Sequence, residues 1–86
     1  MTEYVNVNKL FKREILYYSS AFFDETYKFD KKYEKEIIKK INKSESFIWA
    51  ITNSEFKVKP LIKDDLYFYY VFDDSTDAIH FKLVWL

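Results

Sequence analysis

The rhythm of apolar and polar residues changes partway along this 86-residue chain. In the first half it follows a helical period. Asn6 or Asn8 can cap a helix that runs from Lys9 to about Phe23, and Asp24-Glu25-Thr26 breaks it. Asp30 can cap a second, from Lys31 to about Lys43, in which Tyr33, Ile37 and Ile41 recur every four residues and form one apolar stripe. Beyond that the pattern reads as strands. Residues 46–52 are rich in aromatic and β-branched side chains, and Asn53-Ser54 is a turn. Residues 55–59 alternate with period two, and Pro60 ends or edges them. Leu66 to Phe72 is a strand, Asp73 to Asp77 a polar turn, and Ile79, Phe81, Leu83 and Trp85 alternate toward Leu86.

These elements predict one α+β domain over residues 1–86, with two N-terminal helices packed on one face of a four-stranded antiparallel β-meander. The covered face carries Phe47, Trp49, Ile51, Phe56, Val58, Leu66, Phe68, Tyr70, Phe72, Ile79, Phe81, Leu83 and Trp85. The other face then shows Ile48, Ala50, Tyr67, Tyr69, Val71, His80, Lys82 and Val84, which is too apolar for an idle solvated surface. It is either a partner or dimer surface centred on Tyr67 and Tyr69, or it is covered by the N-terminal segment Tyr4 to Val7.

Three other places depart from simple patterning. In the first helix Leu16 and Phe23 fall on the polar arc, where they either anchor a partner or, for Phe23, belong to the following loop, and Glu14 falls on the apolar arc, to be neutralised at its boundary by Arg13 or a lysine. In the second, Lys31, Lys35, Lys39 and Lys43 stand four apart with Lys28 and Lys32 beside them. That ladder is either a basic stripe for phosphates or a solvated lysine face, and Lys gives a point charge rather than the fork of Arg. Finally, Asp64, Asp65, Asp73, Asp74 and Asp77 cluster in sequence, but the two turns lie at opposite ends of one strand. They make two acidic tips, with Asp73, Asp74 and Asp77 at one, rather than a two-carboxylate centre.

Composition narrows the chemistry. There is no Gly and no Cys, and His80 is the single histidine. Phosphate-cradling loops need glycine, and metal, thiol and acid–base sites need residues this chain largely lacks. Aromatic residues are plentiful instead: nine Phe, eight Tyr and two Trp. Net charge is zero, but residues 1–43 carry ten basic and seven acidic groups while residues 44–86 carry four and seven. Such balance disfavours both a DNA mimic and a general nucleic-acid coat. No apolar run approaches the ~20 residues of a membrane span and no signal peptide is evident, so the reading is cytoplasmic. The preference for Phe, Tyr, Ile, Asn and Lys matches A/T-rich codons and hence a low-GC bacterium, its phages or an archaeal virus.

Catalytic readings are thin. Glu55-Phe56-Lys57 matches half of a nuclease motif but is a common tripeptide, and no Asp precedes it on a partner strand. His80 has no neighbouring acid, and Ser19-Ser20 has no activating partner. Base stacking on Tyr67 and Tyr69 would need cations, of which the expected face carries few, and the lysine ladder is expected elsewhere. In composition the chain resembles the small proteins with which phages and mobile elements block host enzymes or defence complexes, anti-CRISPR-type inhibitors among them. That resemblance implies a non-catalytic inhibitor or adaptor binding a host or cognate protein by occlusion, with homodimerisation as an added expectation. Tyr67, Tyr69, Val71, Ile48, Leu16, Phe23, Asp73, Asp74 and Asp77 are its candidate contacts. The alternative is a nucleic-acid-binding accessory or regulator using Lys28, Lys31, Lys32, Lys35, Lys39 and Lys43. No cofactor or metal is expected, and no membrane partner.

Overall fold

A computed structural model describes residues 2–18, 31–64 and 67–86 of the chain. Ser19, Ser20, Phe23, Lys28, Asp65 and Leu66 lie outside the described residues. Strand β1 (Glu3–Asn6) leads through a 3-10 turn into helix α1 (Lys12–Tyr18). A second 3-10 turn, Lys31–Tyr33, opens helix α2 (Glu34–Asn42). Helix α3 (Glu45–Asn53), strands β2 (Val58–Lys63) and β3 (Tyr67–Phe72) and helix α4 (Ser75–Trp85) follow.

The α+β class is present, but the four-stranded meander behind two N-terminal helices is not. The sheet has three antiparallel strands in the order β1-β3-β2, and the described residues include four α-helices. Both stretches expected to be the first and last strands are helical, and each is decided by its cap. Ser44 has extended backbone angles and its hydroxyl accepts from the Phe47 backbone N–H at 3.3 Å. Asp74 does the same for Asp77 at 3.2 Å. A cap of this kind satisfies one of the orphaned donors of a first helical turn. What reads as the polar turn Asp73 to Asp77 is thus the start of α4.

Burial then follows the helical period. In α3, Ser46, Phe47 and Ala50 are buried while Ile48 and Ile51 are exposed. In α4, Ala78 and Phe81 are buried and Trp85 packs against the core. Ile51, Phe56, Ile79 and Leu83, expected inside, are exposed.

The third strand of the sheet comes from the N-terminus. Residues Tyr4 to Val7 do not fold over the sheet; β1 extends it edgewise, with Val5 opposite Tyr70 and Tyr4 opposite Val71. Asn8 fixes this return, because its Oδ1 accepts from the Phe68 backbone N–H at 2.7 Å. The Val7 N–H donates to the Phe68 carbonyl at 2.8 Å. The Asn6 side chain accepts from the Asn8 N–H. These asparagines, legible as helix caps, instead tie the chain start to β3. On the opposite side β2 is shifted toward Lys63 relative to the expected 55–59 and contains Pro60, as an edge strand tolerates.

Aromatic rings fill the core. Tyr70 lies 5.1 Å from Phe47 and 5.3 Å from Phe81, Phe81 lies 5.5 Å from Phe72, and Phe11 lies 5.7 Å from Phe68. Such tilted pairs add about 0.5–1.5 kcal/mol each beyond area burial. With no disulfide to help, large rings supply what a small core needs.

Candidate functional site

Three surfaces stand out, and the fold keeps them apart. The first is the outer side of α4. Its inner side, Ala78, Phe81 and Trp85, follows the i, i+3, i+7 spacing of a packed stripe. Trp49 of α3 touches α4 along one flank, at 5.1 Å from His80, 6.1 Å from Phe81 and 6.4 Å from Trp85. Ile79, Leu83 and Leu86, spaced i, i+4, i+7, form a second apolar stripe on the other flank. Leu83 is 81 % exposed and Ile79 56 %. Val84, turned toward the His80 side of the helix, is also exposed. Exposed Phe56 stands at the start of the helix, where its backbone N–H donates to Asp77 Oδ2 at 3.1 Å. A surface helix normally turns a polar side to water, whereas on α4 exposed Thr76, His80 and Lys82 are interspersed with exposed apolar residues.

The second surface is the side of the sheet away from the core. Cross-strand register gives three rows there: Lys59–Val71–Tyr4, Leu61–Tyr69–Asn6 and Lys63–Tyr67. Tyr4 is 58 % exposed and Tyr67 40 %, and Tyr69 is half-buried between them, 6.2 Å from Tyr4 and 6.4 Å from Tyr67. Val71 is buried and forms the floor of this face. Tyr67 and Tyr69 thus share a face as expected, whereas Ile48, Ala50, His80 and Val84 belong to helices instead. Tyr4, Lys59 and Lys63 were missed, because neither β1 nor the position of β2 was recognised.

The third surface is the solvent side of α2. Lys31, Lys32, Lys35, Lys39 and Lys43 are all exposed, opposite buried Ile37 and Ile41. Lys40 lies apart from that ladder, over the rings of Tyr17 at 5.7 Å and Tyr18 at 5.4 Å. Hydrogen bonding to Tyr18 and the charges of Tyr18 and Glu14 hold its ammonium above the usual lysine value. Leu16 on α1 is 62 % exposed, and Tyr17 beside it is more exposed still.

The acidic residues are structural in the first instance. Asp74 caps α4 and Asp77 holds the Phe56 backbone, while Asp73 is exposed and its N–H donates to the Lys57 carbonyl. Asp64 takes a left-handed conformation, φ 56°, at the turn after β2, which Asp tolerates well. Among the described residues no group of three or more His, Cys, Asp or Glu side chains converges to hold a metal. His80 is exposed against Trp49, and Glu55 is exposed in the loop before β2. Among the described residues no helix is long and apolar enough to cross a membrane.

No protein-family model, no curated protein and no solved structure matches the chain. The functional reading therefore rests on these surfaces alone.

Proposed function

We propose that the protein is a non-catalytic binding module, an inhibitor or adaptor that covers a surface of another protein with the outer side of α4. The observation that carries this reading is the second apolar stripe, Ile79, Leu83 and Leu86, on a helix whose inner stripe is already packed. Burying an aliphatic side chain is worth roughly 1.5–3 kcal/mol, and association costs about 4–15 kcal/mol in lost freedom. Three side chains alone give weak binding, so a stable complex draws in more of the surface around the stripe. Action by occlusion fits a surface without convergent catalytic groups, and the composition fits a small protein that blocks a host enzyme or defence complex.

The test is affinity capture from nuclease-treated host lysate with wild type and with Leu83→Asp. Because Leu83 is exposed, the variant keeps its helix content and melting temperature. The expected result is a protein captured in stoichiometric amount by wild type and lost with the variant. A dimer of the chain itself that Leu83→Asp dissociates would make the partner a second copy. Identical capture by both proteins would remove α4 as the site.

A further inference from the structure

We propose that the outer face of the sheet binds single-stranded nucleic acid, with bases stacking on Tyr4, Tyr67 and Tyr69 and phosphates meeting Lys59 and Lys63. This surface lies on the far side of the sheet from the described helices, so the inference stands independently of the α4 reading. Three features argue for it.

The rings are available. Tyr4 and Tyr67 are exposed on either side of half-buried Tyr69, with centroid separations of 6.2 and 6.4 Å, so the three form one continuous aromatic surface across β1 and β3. Every base offers a π-face, and unpaired bases stack on such rings without needing a particular sequence.

The cations are on the same face. Strand periodicity and register put Lys59 in the row of Tyr4 and Lys63 in the row of Tyr67, along the edge strand β2. Both are exposed. They stand roughly 13–14 Å apart at about 3.4 Å per residue, which is a line of charge beside the rings rather than a single point.

The charge selects the occupant. A protein partner would also accept tyrosines, but interface cores are depleted of lysine, whereas a strand of phosphates needs it. Asp73, opposite Lys57 one step beyond the paired residues, bounds the basic line at that end.

The experiment is fluorescence anisotropy of labelled 12-nucleotide oligouridine and oligothymidine with the purified chain at 50 and 200 mM salt. The expected result is saturable binding at low salt. Two neutralised phosphates give a slope of log K on log salt of about −1.4. Tyr67→Ala and Tyr4→Ala each weaken binding about five- to 150-fold, as loss of one stacked base does. Tyr67→Phe, which keeps the ring, retains binding and guards against a folding defect in the alanine variants. Lys59→Glu with Lys63→Glu abolishes binding, while Lys35→Glu with Lys39→Glu on α2 leaves it unchanged. No binding at 50 mM salt overturns the proposal. So does binding that is lost with the α2 pair and kept by the tyrosine variants. Capture of a protein through Tyr4 and Tyr67, with no oligonucleotide bound, would assign this face to a protein partner and overturn it as well.

Discussion

The Tyr70 hydroxyl joins the sheet to the start of α3. Its ring is fully buried, and its oxygen lies 2.8 Å from Ser46 Oγ and 3.2 Å from Ser44 Oγ. Ser44 is also the α3 cap, so one small network fixes both the helix start and its position on β3. Tyr70→Phe keeps the ring and removes the network, leaving the buried Ser46 hydroxyl short of a partner. The expected loss is about 1–3 kcal/mol. For a chain of this size that is a melting temperature lower by about 4–8 °C per kcal/mol, read by thermal denaturation. Burial raises the Tyr70 phenol above its ordinary value of 10.0, with the two serine hydroxyls partly opposing it. The unfolded chain therefore releases this proton more readily than the folded one. The contribution is whole below about pH 10 and is lost as pH rises through the raised folded value. The stability gap between wild type and Tyr70→Phe should accordingly narrow above pH 10, and a gap that widened there would contradict this account.

Short polar residues decide the elements where composition misleads. The stripe of Tyr33, Ile37 and Ile41 was legible, and α2 with its preceding 3-10 turn occupies nearly the expected span. The bulky run ending at Phe72 was legible as a strand for the same reason, since only β-rich side chains recur there. Residues 45–53 and 75–85 were not. Phe47 to Ile51 are apolar at every position and Ile79, Phe81, Leu83 and Trp85 alternate, so the apolar residues match period two as well as period 3.6. In such a stretch the cap is the better signal, and Ser44 and Asp74 carried it. Asp74→Ala should lower stability by about 1 kcal/mol and loosen the first turn of α4, measurable by chemical denaturation and by faster amide exchange at Asp77. An unchanged exchange rate there would show that Asp74 does not set the helix start.

At the scale of the molecule, the misread elements moved the candidate site. Once α3 and α4 leave the sheet, Ile48 and His80 no longer share a face with Tyr67 and Tyr69, and Ile79 and Leu83 pass from expected core to surface. The N-terminal strand then supplies Tyr4, and the shift of β2 brings Lys59 and Lys63 beside the tyrosines. The exclusions drawn from composition needed no fold. The location of the recognition surfaces did, because it depends on which period each apolar run adopts. Among the described residues the outcome is a sheet and helix layer with an aromatic, lysine-flanked face on one side and an uncovered apolar helix flank in the other layer.

The most direct test of the central claim places a photoreactive phenylalanine derivative at position 83, with matched controls at Lys12 and Lys35. Each protein is irradiated in nuclease-treated cell lysate and its adducts are weighed by mass spectrometry. The expected result is one discrete protein adduct from position 83, a second copy of the chain included, and none of that mass from the controls. An adduct from Lys35 or Lys12 with none from position 83 would place the contact elsewhere and contradict the assignment of α4 as the binding surface.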